Sequence, residues 1–409
     1  MYTSDEIESN VFFAMYSWFM LRYVQHYFLD SRTSWLSRKK SQQSRVMKER
    51  ITHIDTIRGG SIMGILVMNA VSFGLGNLGY YNITIGSANY LDMVLGFLGE
   101  VLADQKFMGL FSLLFGASLL LFLDRVQERS NHPVMLCLWR NFLLLCIGLL
   151  HSVFWVGDVL SLYAFCCPIL LVLRYFSARV LIVLGVCIFL CSAVSDAVLG
   201  TFASEMEIIN LLTPEQPTED WVGLAFIINV VSRALGMMCI GMGLFRNGWL
   251  TAQVSKDEFK KIIVSIVLCA LIAGSGTWWT LVSGYQENAI ILGNIPNTLI
   301  TIPMALAYAR LLMWWDQHGT SFLISKLRCA GRMALSNYLG QTAIFMFALT
   351  VFSSELTRSG LWLVIILVWG FQLWFSGFWM QYFRMGPLEW LWRTATYRRI
   401  ELMNKNRLT

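Results

Sequence analysis

The residue best suited to chemistry in this chain is His151. An imidazole titrates near neutrality, so it can take a proton from a hydroxyl or an amine. The sequence holds five histidines; His26, His53, His132 and His318 fall in loops or at the ends of apolar runs, whereas His151 lies inside one. Counted from a helix start near 138, it lies roughly 20 Å along, in the outer half of a bilayer. Gly157-Asp158 follows as a tight turn. Asp158 has two readings: a cap for the next helix, or a carboxylate that fixes the tautomer of His151. Lys106 and Asn69 are further polar side chains in apolar surroundings, a cation and an amide suited to stabilising a developing oxyanion. Each of these residues also has a purely structural reading. His151 serves as a neutral hydrogen-bonding bridge between helices, Lys106 as an interfacial cation paired with Asp104, and Asn69 as helix glue.

A second set of polar residues sits at the opposite ends of the apolar runs. Arg58 follows Asp55 by one helical turn, so it is either a snorkelling cation paired with that carboxylate or a holder of phosphate or carboxylate at a membrane mouth. Arg140 and Arg332 are cations on the same side. Asn337 and Gln341 share a helix face, and polar helix packing is the structural alternative for them. Arg233 falls near the middle of an apolar run and needs a partner that the sequence does not identify.

The elements that must position these residues are transmembrane helices. Of the 409 residues, 56% are hydrophobic and 14% charged, against roughly 25% charged in soluble domains. About 20 apolar residues make a span, and such runs fall near 56–75, 104–124, 138–156, 158–175, 178–200, 222–246, 261–283, 295–315, 332–352 and 361–383. The tract from 90 to 124 is too long for one crossing, and Gly96, Gly99, Glu100, Asp104 and Lys106 mark a break before a true span from about 106. Lys and Arg concentrate in alternate loops, and the intervening loops 76–90, 157, 201–221 and 284–294 are nearly free of them; the loop 353–360 holds Arg358 alone. By the positive-inside rule the basic loops and the C-terminus face the cytoplasm.

The expected fold is therefore all-α, a polytopic membrane helix bundle of about ten transmembrane helices, or eleven if 11–29 also spans. That segment reads as an interfacial aromatic helix, followed by a basic linker to residue 50; residues 51–400 form the membrane domain and 401–409 a cytoplasmic tail. No cleavable leader is expected, since acidic residues open the chain. The net charge of +6 is segregated by loop, which argues for membrane orientation and against nucleic-acid binding, and no phosphate-cradling Gly-rich loop is present. The nine cysteines lie in apolar runs or at their cytoplasmic ends, without metal-ligand spacing, so neither disulfide nor metal is expected.

Three stretches carry a resemblance. The first is His53-Ile54-Asp55-Thr56-Ile57-Arg58-Gly59, running on through Gly64-Ile65-Leu66-Val67-Met68-Asn69. The second holds Lys106-Phe107, Phe111-Ser112-Leu113-Leu114-Phe115-Gly116, Gly148-Leu149-Leu150-His151 and Gly157-Asp158-Val159-Leu160-Ser161-Leu162-Tyr163-Ala164. The third joins Gly331-Arg332-Met333-Ala334-Leu335-Ser336-Asn337-Tyr338 to Gly386-Pro387-Leu388-Glu389-Trp390-Leu391-Trp392-Arg393. From about residue 51 to 400 the chain resembles the YeiB-like membrane proteins that carry the DUF418 domain. That family is grouped by similarity with transmembrane acyltransferases, namely the heparan-glucosaminide N-acetyltransferase-like and acyltransferase-3 proteins, which share the opening Arg-Gly matched here by Arg58-Gly59.

The resemblance implies an acyl-CoA-type donor on the cytoplasmic side and an external hydroxyl or amine acceptor, on a glycan, lipid or small molecule. The polar residues at similar depth in the apolar runs add the expected site: a donor entrance near Arg58, Arg140, Arg332 and Asn337, and catalysis by His151 and Asp158 with Lys106 and Asn69. Acyltransferase-3 proteins place a catalytic His near the position of Asn69, and an amide cannot act as a base. Either His151 has taken over that role, or this branch does not perform that chemistry. A transporter of a small metabolite or lipid, or a non-enzymatic membrane protein, remains the alternative. The expected setting is a bacterial cytoplasmic membrane, with membrane lipids as partners and a homo-oligomer compatible with the reading.

Overall fold

The computed structural model describes residues 52–404 apart from 129, 156, 205, 206, 209, 211–218, 320, 352–355 and 401. The expectations for 11–29 and for the basic linker lie outside the described residues. The architecture is all-α. Its helices are α1 Thr52–Tyr81, α2 Tyr90–Leu102, α3 Lys106–Gln127, α4 Pro133–Ser152, α5 Val159–Leu173, α6 Ala178–Phe202, α7 Asp220–Arg246, α8 Lys256–Val282, α9 Glu287–Gly293, α10 Ile295–His318, α11 Phe322–Arg332, α12 Ala334–Val351, α13 Arg358–Tyr382 and α14 Pro387–Tyr397.

Each expected span falls on a helix. Among the described residues eight helical stretches are long and apolar enough to cross a membrane, with α2–α3 and α9–α10 each counted as one stretch. The protein is therefore a multi-pass membrane protein. Its flanks carry bare apolar side chains, such as Val264, Leu268 and Leu271 on α8, as lipid contact requires. The break before α3 is real: α2 ends at Leu102, and Gln105 adopts a left-handed φ of 62° before α3 begins. Helix α5 has only 15 residues, a rise of roughly 22 Å, short of the ~30 Å hydrocarbon core. One of its ends therefore lies below the membrane surface.

Side chains start several helices cleanly. Ser177, Ser321 and Thr357 each accept from a backbone N–H of the first turn, and Ser255 with Glu258 forms a reciprocal capping box. Successive long helices reverse direction, and hydrogen bonds at one end tie the basic loops together. There Arg246 donates to the carbonyls of Phe176 and Arg174, and Gln317 donates to Ala252. The Trp139 indole bonds the Ala395 carbonyl. This basic end is opposed by an end poor in Lys and Arg that includes the described turns after α1 and α8.

Two glycines of the resembling stretches serve packing. A Cβ on Gly59 would collide with the Leu327 carbonyl, and one on Gly331 with the Asp55 carbonyl. Helices α1 and α11 thus approach backbone to backbone, which only small residues allow. The first and third stretches, far apart in sequence, meet at this crossing.

Candidate active site

His151 closes the last turn of α4, and its ring is 6% exposed. Nδ1 lies 2.8 Å from Asp158 Oδ1, and Nε2 lies 2.9 Å from Thr342 Oγ1 on α12. The other carboxylate oxygen of Asp158 accepts from the Ser161 backbone N–H at 2.9 Å and from its hydroxyl at 3.1 Å. Both sequence readings of Asp158 therefore hold in one side chain: it caps α5 and it pairs with the imidazole. Tyr338 closes the group, its hydroxyl 3.4 Å from Asp158 Oδ1 and its ring 5.3 Å from that of His151.

The local sequence explains the approach. Gly148 lies one turn before His151, on the same face. A Cβ there would sit 2.6 Å from the Ser161 nitrogen and 2.9 Å from Asp158 Oδ2. Its absence lets the start of α5 lie flat on α4, so Asp158 reaches the imidazole. Tyr338 and Thr342 are four apart on α12 and present one polar stripe to this pair. Trp155, in the turn between α4 and α5, stacks on Phe73 at 4.1 Å, and Phe73 stacks on Phe345 at 5.5 Å. The buried indole N–H of Trp155 has no hydrogen-bond partner among the described residues.

No ion pair or hydrogen bond links Lys106 to this group. Its ammonium donates to the Glu100 carbonyl at 2.8 Å and to Asn297 Oδ1. Asn297 in turn donates to Asp104 at 2.9 Å, and Tyr80 donates to the same carboxylate. Lys106 is fully buried, so the expectation of an interfacial cation paired directly with Asp104 is corrected: an asparagine stands between them. Asn69 is half-buried on α1 and has no bond to His151. Of the four residues expected to act together, His151 and Asp158 are joined, Lys106 is bonded within a separate polar cluster, and no hydrogen bond among the described residues ties the Asn69 side chain to either. Beside that cluster is a cavity of about 40 Å³, lined by Tyr80, Glu100, Asp104 and Arg358 among apolar neighbours, room for a few waters.

Arg233 finds its partner in Asp196 on α6, at 2.7 Å, with Thr298 at 3.0 Å and 2.9 Å from the two groups respectively. Asp196 is a carboxylate inside an otherwise apolar run, a signal that sequence reasoning passed over. Arg358, the one cation of its loop, is 4% exposed and donates to the carbonyls of Gly79, Asn82, Ile83 and Ile85 at 2.7–3.0 Å. It satisfies the negative end of α1, so it does not count against the charge asymmetry of the loops.

At the basic end, Arg58 lies 3.6 Å from Asp55 and donates to Ser118, the structural pairing anticipated for it. Arg140 stacks over Trp392 at 3.7 Å, and Arg332 donates to the Arg384 carbonyl at 2.5 Å. Asn337 donates to the Ala330 carbonyl and to Ser376, joining α11, α12 and α13. Glu389 accepts from the N–H groups of Leu335 and Ser336 at 2.6 and 3.1 Å, capping α12. Asp316, unmarked by the sequence, gathers His53 at 2.6 Å, Thr56 at 2.5 Å, Arg328 at 2.7 Å and Thr52 at 3.3 Å. Among the described residues no cluster of three or more His, Cys, Asp or Glu side chains is placed to hold a metal.

Residues 244–399 match the family described as "Protein of unknown function (DUF418)". The chain is 31% identical over 383 residues to "Uncharacterized protein YeiB" of Escherichia coli (strain K12), covering 86% of this chain and 97% of that protein. The chain belongs to the DUF418, YeiB-like family. Two further relatives are 26% identical: "Uncharacterized protein YxaH" of Bacillus subtilis (strain 168), with 87% of this chain and 96% of that protein covered, and "Uncharacterized 39.9 kDa protein in amylase 3'region" of Bacillus acidopullulyticus, with 86% and 95% covered. No solved structure matches this DUF418 chain.

Proposed function

We propose that this DUF418 protein is a transmembrane acyltransferase that moves an acyl group from an acyl-CoA-type thioester to a hydroxyl or amine acceptor. The observation that carries this reading is the buried chain Asp158–His151–Thr342. Among the described residues no Lys or Arg pairs with Asp158. The carboxylate holds the proton on Nδ1 and leaves Nε2 unprotonated, facing the Thr342 hydroxyl, the arrangement of a general base. As the acceptor attacks the thioester carbon, its proton passes to Nε2. The resulting imidazolium is stabilised by Asp158, and the proton is delivered to the departing thiolate. Tyr338 and Ser161 hold the carboxylate in register. The donor enters from the basic end, where Arg58, Arg140 and Arg332 gather positive charge, and Asn337 fixes the helices around that entrance.

The basic loops and C-terminus are cytoplasmic in this reading, the acceptor is external, and the membrane is a bacterial cytoplasmic membrane, in keeping with the bacterial relatives. The assay is purified protein in proteoliposomes with radiolabelled acetyl-CoA and a panel of glycan, lipid and amine acceptors. Transfer that disappears in His151→Ala, with the protein still folded, supports the reading. Transfer unchanged in that variant removes His151 from the mechanism.

A second reading, passage of a small metabolite or lipid, draws on the buried charges Lys106, Asp104, Glu100, Arg233 and Asp196. Accumulation of solute in vesicles free of acyl-CoA would favour it.

A further inference from the structure

Nε2 of His151 is not open to an incoming acceptor: the Thr342 hydroxyl already occupies it at 2.9 Å. Thr342 is 4% exposed and His151 6% exposed. With Nδ1 facing a carboxylate, the neutral ring carries its proton there, so Nε2 accepts and Thr342 donates. A hydroxyl that donates to an imidazole, itself held by a buried carboxylate, is the arrangement of an activated nucleophile. A threonine in a helix satisfies its hydroxyl by bonding a carbonyl one turn back at little cost, yet this one is bonded to the single buried imidazole of the chain.

We infer that Thr342 is the nucleophile of a two-step transfer and carries the acyl group as a threonine ester between donor and acceptor. The inference rests on the acyltransferase reading and specifies its covalent course. In the first step Thr342 Oγ1 attacks the thioester carbon. A C–O bond forms, the C–S bond breaks, and His151 passes the threonine proton to the leaving thiol. In the second step the acceptor hydroxyl or amine attacks the ester carbon. His151 takes the acceptor proton and returns it to Thr342 Oγ1, which leaves as the free hydroxyl. Neither step needs an oxidant or a cofactor, and the thiol departs before the acceptor binds.

Along α4, His151 lies ~16 Å from Arg140 at the basic end, a span for the flexible arm of the thioester. Just beyond His151, Val153 and Phe154 are largely exposed. In this position the orphaned Trp155 N–H can serve an oxygen of the acyl group or acceptor.

The test uses the full-length protein in nanodiscs, incubated with radiolabelled acetyl-CoA and no acceptor, then acid-quenched and mapped by mass spectrometry. The expected result is one alkali-labile acetyl group on the Thr342 peptide, discharged on adding acceptor, with parallel-line double-substrate kinetics. Thr342→Val loses both adduct and transfer by at least 100-fold, and Thr342→Ser restores both, which excludes a folding defect as the cause. Wild-type-level transfer in Thr342→Val, or a label only on another residue, overturns the covalent course and leaves the acyltransferase reading standing. Absence of both transfer and adduct with the wild-type protein overturns both.

Discussion

Among the described residues there are two His–Asp pairs, one at each end of the bundle, and they are built differently. At the basic end, Asp316 receives His53, Arg328, Thr52 and Thr56 together, and the His53 side chain is 19% exposed. Its carboxylate charge is already met by a guanidinium, so the imidazole is one clasp among several, joining the start of α1 to α10 and α11. At the opposite end, Asp158 has only uncharged donors besides His151, and the second ring nitrogen faces a hydroxyl. In the proposed mechanism the imidazole there is the group that gains charge when a proton moves. On that proposal the same two residue types make a fastener in one place and a base in the other, and the neighbouring cation decides which.

The largest expected effects come from breaking this contrast directly. Asp158→Asn should lower transfer by about a thousandfold, since an amide no longer selects the Nδ1–H tautomer; an asparagine still caps α5, so Tm should fall little. His53→Ala should leave transfer nearly intact. Asp316→Ala should instead act on stability, by about 2 kcal/mol; Arg328 is 34% exposed, so the loss stays below that of a fully buried pair. A thermal unfolding series in detergent, run beside the transfer assay, separates the two behaviours. If Asp316→Ala lost transfer while keeping its Tm, the division of labour would be wrong.

Gly148→Ala should cost about 1–3 kcal/mol as a methyl group forces α4 from α5. It should also lower transfer, because the same wedge displaces Asp158; a variant with lowered Tm and full activity would show that the close approach does not position the pair. The smallest effect belongs to Glu389, whose carboxyl is pushed up by burial. A carboxyl with a raised folded-state pKa contributes most below the ordinary value of about 4 and less as pH rises. Glu389→Gln should therefore gain in Tm on the wild type between about pH 4 and pH 7; a relative loss over that range would contradict the sign.

Much of this was legible in the sequence, for identifiable reasons. Apolar run length and alternating loop charge give the helices, because a bilayer forces both. The pairing of His151 with Asp158 was readable because the residues are near in sequence, across one tight turn. Thr342, Asp196 and Asp316 were not readable as partners. Each meets its group through helix packing between distant segments, and nothing local marks a lone threonine or aspartate as facing inward. The grouping of Lys106 with His151 rested on similar depth along two helices, which says nothing about which side of the bundle each faces; among the described residues no hydrogen bond or ion pair joins the two. The resembling stretches mixed chemistry with packing. Gly59 and Gly331 hold α1 against α11, and Glu389 caps α12, whereas His151 and Asp158 form the hydrogen-bonded pair on which the proposed chemistry rests.

The most direct measurement is the ¹⁵N NMR spectrum of the protein labelled only at histidine, in which five residues give few signals. The account predicts that near neutral pH His151 carries its proton on Nδ1 and leaves Nε2 bare, and that Asp158→Asn abolishes this preference. A His151 resonance of the Nε2–H tautomer, or one indifferent to Asp158→Asn, would contradict the claim that this pair forms a primed base.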